Sequence, residues 1–166
     1  MKFQIFLFVI AVIGLVETFP INMGLCSDEL RHAHSCARVH LPHIIHEVMP
    51  LHEVEKVELQ VGDFMQCLGE IECVRLKRSL EVSYVTFELV KNLSPLYNCL
   101  TNDRFKQARH FCSPDDCDEK FVKCLAKTLA KENECTELDI EKLVSLSPLF
   151  KKKCEKKTQY EKKYPS

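Results

Sequence analysis

The chain has 166 residues, 46% of them hydrophobic and 28% charged, with 23 Lys+Arg against 24 Asp+Glu and a net charge of −1. That balance names no charged partner, and no nucleic-acid partner is expected. Only four glycines occur and no Ser/Gly-rich linker appears, so a single compact body is the simpler reading over two small, fused ones.

Lys2 is followed by an apolar run from Phe3 to Val16 and then by polar residues, the pattern of a secretory signal peptide over residues 1–18, with cleavage between 14 and 24. The run is shorter than the roughly 20 apolar residues that a membrane-spanning helix needs, and no second one follows. A secreted, extracellular protein is expected. Lys2 and Glu17 leave together with the leader, so the net charge stays at −1. All ten cysteines lie beyond it: Cys26, Cys36, Cys67, Cys73, Cys99, Cys112, Cys117, Cys124, Cys135 and Cys154. An even number in an exported chain reads as five disulfides of open pairing.

The mature chain carries helical signals throughout. Ser27 before Asp28 and Glu29 reads as an N-cap, and Leu30, Ala33, Ala37, Leu41, Ile44 and Val48 then share a face, with Pro42 kinking or dividing the helix. A second helix is expected from Asp63, through Phe64, Leu68 and Ile71. Residues 74–90 carry two apolar stripes, one with Leu76, Leu80, Tyr84, Phe87 and Val90 and the other with Val74, Val82, Val85 and Leu89. They read as a central helix, although "VSYVTF" is rich in strand formers. Asn102 is expected to cap a short helix to Phe111. Ser113, Pro114 and Asp116 cap the next, which runs through Phe121, Cys124, Leu125 and Leu129, and Thr136 with Asp139 caps the last. The fold class is all-α: a disulfide-stapled helical bundle over residues 19–154 with a solvated basic tail at 155–166.

Two phrases recur. "FMQCL" at 64–68 answers "FVKCL" at 121–125, and "LVKNLSPLYNC" at 89–99 answers "LVSLSPLFKKKC" at 143–154. Residues 63–99 and 120–154 therefore read as two similar helix-loop-helix units whose Ser-Pro bends, at Ser94-Pro95 and Ser147-Pro148, are equivalent. Helix geometry also forbids two crosslinks. Cys67 and Cys73, six residues apart on one expected helix, stand about 9 Å apart along the axis, and Cys117 and Cys124 about 10.5 Å, beyond the roughly 4.4–6.8 Å that a disulfide spans.

The leader, the helix-borne cysteines, the "FMQCLGEIEC" entry and the later "FVKCL" with trailing cysteines resemble a nematode-restricted secreted family called domain of unknown function nineteen. The resemblance covers residues 26–154 and implies an extracellular, mostly helical protein. It brings no catalytic residues.

Six of the seven histidines lie between His32 and His52. His32, His40, His43 and His46 fall on one side of the first helix, opposite its apolar face, and are the candidates for a shared metal or haem iron. No carboxylate or thiolate completes the set, so a solvated polar face is the simpler reading and no cofactor is expected. The tail "KKKCEKKTQYEKKYPS" holds seven lysines against two glutamates and can make weak contact with an anionic surface. Asn92-Leu93-Ser94 is formally a glycosylation acceptor, but Pro95 follows directly and disfavours it. No G-x-S-x-G, Gly-rich phosphate loop or H-E-x-x-H occurs, so no enzymatic activity is expected. Two classes remain: a non-catalytic interaction module for a protein partner, and a carrier of an apolar small molecule or lipid. The carrier needs an enclosed apolar pocket of about 300 Å³ or more.

Overall fold

The computed structural model describes residues 24–41, 46–112 and 119–164. The leader, Pro42, His43, Cys117 and the Ser113–Asp116 cap lie outside them. Among the described residues there is no strand. The helices are α1 (Gly24–His40), α2 (Leu51–Leu68), α3 (Val74–Leu93), α4 (Asn102–Phe111), α5 (Glu119–Leu129), α6 (Glu137–Ser145) and α7 (Ser147–Lys163), with a 3-10 turn at Ser94–Leu96. No helix is long and apolar enough to cross a membrane. The described residues fall into two compact units, one of 24–41, 55–84 and 159–164, the other of 46–54, 85–112 and 119–158.

In the first unit, Ala33, Cys36 and Ala37 recur at helical spacing on α1 and pack with Leu41, Phe64, Leu68, Cys73 and Leu76. Alanines at 33 and 37 keep this face of α1 low, which suits close approach. Two disulfides fasten α1: Cys26 joins Cys73, just before α3, and Cys36 joins Cys67, in the last turn of α2. The Glu29 carboxylate accepts from the backbone N–H groups of Glu72 and Cys73 at 3.0–3.2 Å, satisfying donors that the start of α3 leaves open. α2 stops because Gly69 adopts φ 62°, a left-handed conformation that glycine takes without a Cβ clash.

The second unit has the larger core. Leu93, Leu100, Leu125, Leu129 and Leu143 are its fully buried leucines, joined by Phe105, Phe121 and Val122. Cys99 joins Cys135, and Cys112 joins Cys124. Thr101 caps α4 by accepting from the Arg104 N–H, so the cap sits one residue before the expected Asn102. Thr136 and Asp139 form the expected capping box: Thr136 Oγ1 accepts from the Asp139 N–H at 3.2 Å, and the Asp139 carboxylate accepts from the Thr136 N–H at 2.9 Å. Cys154 is also disulfide-bonded, to a partner outside the described residues.

Several sequence expectations change. α1 begins at Gly24, so Ser27 lies within it, and it ends at His40, so Val48 belongs to another segment. α2 starts at Leu51, not Asp63; the Pro50 carbonyl accepts from the Glu53 and Val54 N–H groups, and buried Val54, Val57, Phe64 and Leu68 continue one stripe past Gly62. Cys67 and Cys73 do not share a helix, because Gly69 separates α2 from α3. Val74 and Tyr84, expected to be covered, are exposed on α3, and the strand-forming "VSYVTF" is helical. Residues 155–163 form the end of α7 rather than a frayed tail.

The two Ser-Pro bends also differ. Pro95 sits in the 3-10 turn after α3, where Ser94 and Leu96 are buried. Pro148 sits at the second position of α7 and opens a 17-residue helix, a place where its missing N–H costs nothing. "FMQCL" closes α2, whereas "FVKCL" lies near the start of α5. What does recur is a crosslinking pattern: an outer pair, Cys26–Cys73 or Cys99–Cys135, encloses an inner one, Cys36–Cys67 or Cys112–Cys124. Each unit thus nests one loop inside another, and the repeating element begins a helix earlier than the repeated phrases suggest.

Candidate functional site on the first and second helices

Spacing of four puts His32, Cys36 and His40 on one face of α1. His32 Nε2 lies 3.0 Å from the Cys67 carbonyl oxygen. A carbonyl can only accept, so this nitrogen carries the hydrogen and donates. The same nitrogen is 3.6 Å from Cys36 Sγ. His32 Nε2 and the two sulfurs lie within 4.8 Å of one another, the one such set of three ligand-bearing side chains among the described residues. On the neighbouring side, His40, Asp63, Gln66 and Cys67 line an open cleft of about 250 Å³. Cys36 is fully buried, whereas its partner Cys67 is half-buried.

The expected histidine cluster is therefore only partly assembled. His32 meets a sulfur pair and His40 the adjacent cleft, His46 belongs to the second unit, and His43 lies outside the described residues. The sulfurs missing from the sequence argument are present, but they are bonded to each other. Their signal was the i, i+4 spacing of His32 and Cys36. Asn92 is exposed in the last turn of α3, where its side-chain N–H donates to the Glu88 carbonyl at 2.8 Å, while Ser94 of the same triplet is buried.

The second unit has its own open cleft, of about 300 Å³, lined by Ala130, Cys135, Glu137, Ile140 and Glu141. Nearby chemistry is ionic. Arg104 reaches the Glu134 carboxylate at 2.8 Å and the Cys99 carbonyl at 3.2 Å, and its hydrogen bond holds the Glu134 carboxyl below its ordinary range. Arg109 pairs with Glu47. Burial pushes the Lys153 ammonium down, with Glu47 opposing and Arg109 and Lys157 adding to the effect. Comparison of the chain with family models, curated proteins and solved structures finds no match, so its fold and site stand on their own geometry.

Proposed function

We propose that the protein is a secreted, non-catalytic interaction module, a disulfide-stapled helical body that offers its surface to a protein partner. Disulfides persist in oxidising compartments, which fits the signal-peptide pattern at 1–18, and the cysteine spacings that resemble the nematode secreted family belong to the same reading. The observation that carries it is where the apolar side chains go. The large leucines, valines and phenylalanines that would line a carrier's cavity are packed into two cores. The concave surfaces are open clefts lined by Glu137, Glu141, His40 and Asp63. What the described residues offer a partner is their outer surface, including exposed Leu59, Met65 and Val74 in the first unit and Phe111 and Leu138 in the second. On lysine-rich α7, exposed Lys151, Lys152, Lys157, Lys162 and Lys163 add cationic surface suited to weak contact with anionic surfaces.

Native mass spectrometry of the protein from its natural source tests this. The expected mass is that of the processed, fully oxidised chain alone or with a protein partner. A stoichiometric lipid or other apolar molecule that stays bound would overturn the module reading and establish a carrier.

A further inference from the structure

We propose that Cys36–Cys67 is an exchangeable disulfide, and that its reduction creates a soft-metal site with His32 as third ligand. Three observations carry this. Cys67 lines the open cleft, so an incoming thiolate has an approach to its sulfur. Cys36, the sulfur that would leave, is 3.6 Å from His32 Nε2, whose N–H can turn from the Cys67 carbonyl to the departing thiolate. Among the described disulfides, Cys36–Cys67 is the one with an imidazole nitrogen close to both sulfurs. Cys73 has the Glu29 carboxylate at its own N–H, and Cys135 faces a cleft lined by Glu137 and Glu141. Cys112 sits beside Thr128, whose hydroxyl hydrogen is directed to the Cys124 carbonyl.

The step balances with a small thiol such as glutathione as reductant. Its thiolate attacks Cys67 Sγ, a mixed disulfide forms there, the Cys36–Cys67 bond breaks, and its electron pair leaves on Cys36. A second thiolate attacks the mixed disulfide, releasing Cys67 as a thiolate and the reductant as its oxidised dimer.

The freed sulfurs and the imidazole match a tetrahedral soft cation. Zn–N of about 2.0–2.1 Å and Zn–S of about 2.3 Å at the tetrahedral angle separate nitrogen and sulfur by about 3.6 Å, which is the spacing His32 Nε2 and Cys36 Sγ already have. The two sulfurs, once the bond is broken, stand about 3.8 Å apart on such a cation by the same geometry, reached by side-chain rotation. Moving the ring proton to Nδ1 frees the Nε2 lone pair, and the cleft that Cys67 lines also holds His40 and Asp63, side chains able to supply a fourth ligand.

The test uses the full secreted protein. Graded reduction by glutathione, followed by alkylation and peptide mapping, is expected to label Cys36 and Cys67 before any other cysteine; another disulfide opening first overturns the exchange step. Cadmium added to the partly reduced protein should give one ion per chain with a thiolate charge-transfer band. His32→Ala is expected to weaken cadmium at least tenfold and to slow the first reduction, with the helical circular dichroism unchanged. Cys36→Ser/Cys67→Ser, checked for the same helicity, should abolish the band. A band of undiminished affinity in His32→Ala, or no band in the reduced native chain, overturns the metal site.

Discussion

The two units are fastened by the same nested crosslinks around interiors of different make-up. In the first, the core proper is eight residues, namely two alanines, two cysteines, three leucines and one phenylalanine, and beside Leu76 α3 also buries polar side chains there: Arg75, Ser79 and Ser83 recur at spacings of four. Arg75 lies over the Tyr164 ring at 5.4 Å, and the buried hydroxyls of Ser83 and Tyr160 meet no donor or acceptor among the described residues. In the second unit the same helix turns apolar, contributing Leu89 and Leu93 to a core that also takes leucines and phenylalanines from α4 and α5. Burial at roughly 25 cal/mol per Å² rewards the second interior and much less the first. The comparison teaches that one crosslinking pattern can serve as reinforcement in one unit and as a principal source of stability in the other.

Removing the crosslinks should expose that difference most strongly. Chain-entropy reasoning assigns about 4 kcal/mol to the 47-residue span of Cys26–Cys73 and about 3 kcal/mol to the 12-residue span of Cys112–Cys124. Replacing Cys26, Cys36, Cys67 and Cys73 by serine is expected to abolish hydrogen-exchange protection over α1 and residues 55–68 while α4 and α5 stay protected. The matching quadruple change in the second unit should leave measurable protection in its own core. Equal loss in both would break the comparison. By count, Cys117 is the cysteine left for Cys154, and peptide mapping of the oxidised protein should find those two joined.

Core truncation comes next. Leu125 and Leu76 are both fully buried, one in each unit. Leu125→Ala is expected to cost about 3–5 kcal/mol, towards the upper end of the range for buried leucines, because large neighbours on several helices hold the cavity open. Leu76→Ala should fall nearer 2–3 kcal/mol, since crosslinked α1 can settle onto the smaller side chain. Denaturant unfolding monitored unit by unit, with intact disulfides, gives both values; the reverse order would show that the polar first interior is the more rigidly packed.

How far this was legible in the chain depends on the range of each signal. Local chemistry read correctly: the Thr136–Asp139 capping box, a helix over residues 74–90 and the helical class all rest on contacts within one or two turns. Signals that compete locally misled. The sequence suggests a helix start at Asp63, yet Asp63 and Gly62 before it sit in mid-helix, with open space where a Gly62 Cβ would stand, while Gly69 is the true stop. The doubled Ser-Pro phrase is a helix terminus in one copy and a helix start in the other, since proline suits both a turn after a helix and its first positions. The candidate site was half-visible. His32 stood out in the histidine run, but its meeting with Cys67 depends on packing between α1 and α2 that no short-range pattern encodes.

Capping differences are smaller and compare the ways each unit stops its helices. Thr136→Ala removes an acceptor from the Asp139 N–H and should cost about 1 kcal/mol, raising exchange in the first turn of α6. Gly69→Ala forces a side chain into the left-handed region in the first unit, and about 1 kcal/mol is expected there too, although nothing within 4 Å would meet the new methyl. Lowering pH adds a local effect in the second unit. Because the Arg104 hydrogen bond lowers the Glu134 carboxyl, its contribution is complete above the ordinary carboxylate range and is lost as pH falls through the lowered value. Arg104→Met should flatten that part of the acid-stability profile.

The smallest expected effect concerns Lys153 of the second unit, whose ammonium burial disfavours, with Arg109 and Lys157 adding repulsion and Glu47 only partly offsetting them. A lysine lowered in the folded state binds fewer protons there than in the unfolded chain at pH values between its folded and ordinary positions, so stability rises with pH through that window. Below it the ammonium is charged in both states and the full penalty is present. Lys153→Met keeps the aliphatic stem and removes the charge. The variant should therefore melt at or above the temperature of the natural chain near neutral pH, and the gap should close as the buffer is taken upward towards the ordinary lysine range. Thermal scans of both proteins across that range, under conditions that keep the disulfides intact, read the difference directly. A variant that melts lower at every pH would mean that the Lys153 ammonium makes a stabilising contact with Glu47, and that the apolar second interior gains from the charge at its edge.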